Sequence, residues 1–113
     1  MANSGQDLTE ALRDSRLLLI NTVEQMRIHG ESLAGAEQKY RIELCKKILT
    51  ERANGQPVTI LADICRGDER VAMLKFNRDL NESNYKVDQE KINAIKIEIR
   101  ILEAEILNER QGC

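Results

Sequence analysis

Five side chains in the middle of the chain could recognise a small anionic ligand: Tyr40 and Arg41 in one stretch, Arg78, Asn81 and Tyr85 in another. An arginine presents a planar fork of donors that matches a phosphate, an asparagine both donates and accepts, and a phenol ring offers a face on which a base can stack. The chemistry is binding, and nucleotides are the class of ligand it fits. Spacing argues against other chemistries. His29 is the only histidine and has no second histidine or cysteine at metal-ligand spacing, so neither a metal nor a cofactor is expected. No glycine-rich phosphate loop, GxSxG elbow or serine, histidine and aspartate set occurs. The many carboxylates mostly stand three or four residues from Lys or Arg, the spacing of solvated ion pairs on a helix surface. The expectation is a protein that is not an enzyme.

The elements that must position these residues are long helices. After Asp7 or Thr9, either of which could cap, Leu8, Leu12, Leu19, Val23 and Met26 recur at three-, four- or seven-residue steps, and Leu33, Tyr40, Leu44 and Ile48 extend the stripe. The spacing predicts a helix over about 7–53, either continuous or hinged near 29–35, where Gly30 and Gly35 each cost about 1 kcal/mol relative to Ala. Asn54, Gly55 and Pro57 end it. A short helix over about 58–65 follows, then a turn at Arg66-Gly67, and Asp68 can cap a last helix over about 68–110. The tripeptide Arg66-Gly67-Asp68 is better read as this turn than as a cell-adhesion signal, and the last helix is too long and too acidic for a DNA recognition helix. Two long helices with a short connector predict an all-α, coiled-coil-like antiparallel hairpin in a single domain.

Composition sets the remaining bounds. In 113 residues, 42% are hydrophobic and 32% charged, which fits a folded domain. Tyr40, Phe76 and Tyr85 are the only aromatic residues, so any core is aliphatic. A net charge of −2 disfavours DNA as a partner, since nonspecific affinity comes from many phosphate contacts, although Arg41, Lys46, Lys47, Arg52, Arg66, Arg70 and Lys75 make a modest basic pole. Cys45, Cys65 and Cys113 form no CxxC pair and suggest reduced thiols. With no signal region or membrane-length apolar run, a cytoplasmic location and no membrane partner are expected.

Along the last helix Ile92, Ile95, Ile99, Leu102 and Ile106 step by three and four, the spacing of a coiled-coil seam, with Val71 and Leu74 in phase. Ala94, Ile97, Ile101 and Ala104 make a second row on another side. One partner helix covers one row, so Ile92, Ile95, Ile97, Ile99, Ile101, Leu102 and Ile106 together predict a homo-oligomer interface. Between Leu74 and Ile92 the seam falls on Arg78, Asn81, Tyr85 and Asp88, opposite residues near Leu33 to Leu44. That polar break is either a cleft for a ligand or an internal network such as Glu37 with Arg78 or Arg41 with Glu82.

The segments PVTILADICRGDERVAMLKFNRD and INAIKIEIRILEAEI carry a resemblance over roughly residues 33 to 110 to a family of small helical phage and prophage proteins of Gram-positive bacteria. The resemblance implies a helical hairpin made in the host cytoplasm during infection or from a prophage. It transfers no functional residue. In that setting the polar break suggests a protein that sequesters a host target, a nucleotide immune signal above all or a host defence protein. The alternative is a structural or accessory protein of phage DNA metabolism or virion assembly.

Overall fold

The computed structural model describes residues 5–112, which form three helices and no strand: α1 (Gly5–Ala53), α2 (Val58–Arg66) and α3 (Glu69–Gln111). α1 is already helical at Gly5, so neither Asp7 nor Thr9 is its cap. Instead the Thr9 hydroxyl donates back to the Gly5 carbonyl at 2.8 Å, while Asp7 lies in the first turn, where a carboxylate suits the positive end of the helix dipole. The helix is continuous through Gly30 and Gly35. At Gly30 an added Cβ would come within 3.3 Å of the Tyr85 ring, so the missing side chain is what lets that ring lie close to the backbone.

The first long helix ends where Gly55 takes a φ of 84°, a left-handed conformation that other residues adopt only with strain. Its amide donates to the Arg52 carbonyl at 3.0 Å and the Gln56 amide to the Glu51 carbonyl at 3.1 Å, satisfying the last turn. The extended backbone of Pro57 then starts α2, whose Leu61 and Cys65 are buried. After Gly67, the Asp68 carboxylate accepts the Val71 amide at 3.1 Å and begins α3. The RGD tripeptide is therefore a helix-to-helix turn.

Two compact units share these helices. One comprises α1 up to Arg27 and α3 from Lys86; the other is Ile28–Tyr85. Within each, α1 and α3 run antiparallel. In the first unit Gly5 meets Glu109, and Leu19, Val23 and Met26 share a groove with Ile92, Asn93 and Lys96. In the second, Glu43 meets Arg70 and Glu37 meets Arg78. The fold is an all-helical antiparallel hairpin. Leu8, Ile92 and Leu102 are the buried apolar residues of the first unit, joined by Thr22 and Asp88; Ala36, Leu61, Cys65 and Val71 are those of the second. The Thr22 hydroxyl donates to the Leu18 carbonyl at 2.7 Å, and no buried side-chain nitrogen or oxygen among the described residues lacks a partner. None of the helices is long and apolar enough to cross a membrane.

Candidate functional site

The Ile28–Tyr85 unit contains all five residues of the expected ligand cleft. Arg78, Asn81, Tyr40 and Tyr85 are half-buried and Arg41 is exposed. What surrounds the arginines is negative charge from the chain itself. Arg78 donates through Nε to Glu37 Oε2 at 2.5 Å and through Nη1 to Asp79 Oδ1 at 2.9 Å, with Glu82 Oε2 at 3.0 Å. Arg41 donates through Nε to the other Glu37 oxygen at 2.5 Å. One carboxylate thus bridges both arginines. Arg41 and then Arg78 hold the Glu37 carboxyl below the usual range, and Lys75 and then Arg78 do the same for Asp79. The Arg78 guanidinium is in turn driven further toward its charged form, by Asp79 first and Glu37 next.

Of the two internal pairs the sequence suggested, Glu37 with Arg78 forms. Arg41 takes Glu37, one helical turn away on its own helix, where Glu preceding a cation by four residues is the favourable order. Asn81 spends a side-chain donor on the Asn77 carbonyl at 2.8 Å. Tyr85 lies against Gly30. Within the basic pole, Lys47 sits between Glu51 at 3.1 Å and Asp68 at 3.4 Å, and Arg70 lies 3.2 Å from Glu43.

The isoleucines divide between the two rows. Ile92 and Leu102 are buried and Ile95, Ile99 and Ile106 half-buried. Ile97 and Ile101 remain 54% and 46% exposed. Their row also reaches further than the sequence reading followed it. Stepping back by three and four from Ala94 through Glu90 gives Val87, Ser83, Leu80, Phe76 and Met73, of which the four large apolar residues are all exposed, Phe76 at 69%. The signal was present in the spacing, but Ser83 and Glu90 break its apolar run and hid it. At about 100° per residue the row lies on the opposite side of α3 from the inner seam.

Among the described residues no group of three or more His, Cys, Asp or Glu could hold a metal ion. No family model, curated protein or solved structure matches the chain.

Proposed function

We propose that the chain is a helical interaction protein, not an enzyme, that works by helix-to-helix association and whose first partner is another copy of itself. The observation that supports this reading is the outer row of α3, where Met73, Phe76, Leu80, Val87, Ile97 and Ile101 stand exposed at coiled-coil spacing. A monomer that left this row in water would keep six large apolar side chains of one helix exposed, which is characteristic of association surfaces. In the phage setting implied by the sequence resemblance, such a protein serves as an accessory in DNA metabolism or virion assembly, or occupies a host defence protein. Sequestration of a nucleotide has less support, because a phosphate reaching Arg78 must compete with Glu37, Asp79 and Glu82.

Sedimentation equilibrium tests the reading. The wild type is expected to exceed the single-chain mass of 12.9 kDa at high micromolar concentration, and Ile101→Glu to return it to that mass with unchanged helical circular dichroism. A wild-type protein that stays at single-chain mass overturns self-association. Calorimetric binding of a cyclic or linear nucleotide that is lost in Arg78→Ala would favour sequestration.

A further inference from the structure

We propose that Asn54 is a modification site at which the chain deamidates itself, exchanging the side-chain amide for a carboxylate with water as the only co-reactant. Asn54 is exposed and stands just past the last residue of α1, in a turn with Gly55. The reaction joins these two residues. The Gly55 main-chain nitrogen gives up its proton to hydroxide and attacks Cγ of the Asn54 side chain. The new N–Cγ bond closes a five-membered imide as the Cγ–Nδ2 bond breaks and ammonia leaves. Water then opens the imide. Cleavage at Cγ leaves aspartate, whereas cleavage at the Asn54 main-chain carbon routes the backbone through the side chain as isoaspartate. Nothing is oxidised or reduced.

Two requirements decide where in a chain this happens. The attacking amide must be released from its hydrogen bond, and the backbone must turn out of the helical conformation to bring that nitrogen against the side chain. The other asparagines among the described residues are Asn21 in α1 and Asn77, Asn81, Asn84, Asn93 and Asn108 in α3. Each is followed by a residue of the same helix that carries a Cβ, and the interior of a helix opens only at a cost that its ends escape. At Asn54 the ladder runs out. The Gly55 amide donates to the Arg52 carbonyl at 3.0 Å, the shorter-range bond of a last turn that frays. Gly55 has no side chain to shield its nitrogen, and nothing lies within 4 Å of where a Cβ would stand. Its φ of 84° has already left the right-handed region.

Both products alter the end of α1. Each places a carboxylate one residue beyond the helix, where the dipole is negative and a cation is the favourable neighbour. Isoaspartate also adds a methylene to the main chain, so the Gly55 and Gln56 amides lose their register with the Arg52 and Glu51 carbonyls that close the last turn. The connection between α1 and α2 is therefore loosened by the chemistry of its own turn. This site neither uses nor requires the outer row of α3.

Peptide mapping by mass spectrometry tests the site on the full folded chain, held at mildly alkaline pH well below its melting temperature. Asn54 is expected to convert more than about tenfold faster than any helical asparagine, because only its amide can be released without opening a helix interior. The rate should rise in proportion to hydroxide, and isoaspartate should form together with aspartate. Isoaspartate is the decisive product, since direct hydrolysis of the side-chain amide gives aspartate alone. Gly55→Ala sets a methyl beside the attacking nitrogen and should slow conversion severalfold. If that variant fails to fold, Asn54→Gln keeps the test decisive, because its longer side chain would have to close a six-membered ring. The aged wild type should then melt at a lower temperature than the fresh protein, while aged Asn54→Gln should not change. Conversion of Asn54 in urea but not in the folded chain would show that the turn protects it and would overturn the proposal. So would a helical asparagine converting as fast, or aspartate formed without isoaspartate.

Discussion

Glu37 is the residue on which the polar part of the hairpin turns, because its two oxygens serve Arg41 and Arg78 separately. Its carboxyl and that of Asp79 are both held below the ordinary range, so each favours the folded state when ionised. The sign follows directly. A carboxylate with a lowered folded-state pKa contributes stability that is present above its unfolded value, about 4, and is lost as pH falls below it. The melting temperature should therefore fall between about pH 5 and pH 3. Glu37→Gln should lower it at pH 7 and make that acid decline shallower, which thermal denaturation across the pH range would show. An unchanged decline would mean that other carboxylates carry it. The pairing of Glu37 with Arg78 was legible in the sequence because the antiparallel register brings the two stretches together. The partner of Arg41 was not, because register arguments look across helices and the carboxylate one turn away on the same helix is closer.

At the scale of elements, the helix boundaries were legible wherever backbone chemistry forced them. Gly55 at positive φ, Pro57 and the capping carboxylate of Asp68 each admit few alternatives. Whether α1 runs on through Gly30 and Gly35 was left open by the sequence, since propensity disfavours both glycines without forcing a break. The two glycines should respond differently to the same change. Nothing lies within 4 Å of a Cβ added at Gly35, so Gly35→Ala should stabilise the fold by about 0.5–1 kcal/mol in urea titrations, the gain expected for a helix interior. At Gly30 the Tyr85 ring already stands 3.3 Å from that Cβ, so Gly30→Ala should gain less or destabilise. Equal gains at the two positions would show that Tyr85 yields without cost. Asp68→Ala removes the acceptor for the Val71 amide and the contact with Lys47, and should lower the melting temperature without altering the helices further along.

For the molecule as a whole, the inner row of α3 is buried or half-buried and the large apolar residues of its outer row are exposed, so on the proposed reading the first serves folding and the second association. Periodicity showed that there were two rows; which of them the chain consumes internally required the structure, because a residue count cannot say where the second helix lies. Ile99 stands in the inner seam and is half-buried, whereas Ile101, two positions on, is 46% exposed. Ile99→Glu forces a charge into the packed side and should cost about 3 kcal/mol or more, enough to unfold a marginal hairpin. Ile101→Glu places the same charge in water when the chain is alone and should leave its helical content intact. The wild type adds a further signature, since a fold stabilised by association melts at a temperature that rises with protein concentration. Melting followed over a hundredfold dilution should show that rise for the wild type and its absence for Ile101→Glu. If both proteins melted at concentration-independent temperatures, the outer row would not be holding copies together, and its apolar residues would need a different partner.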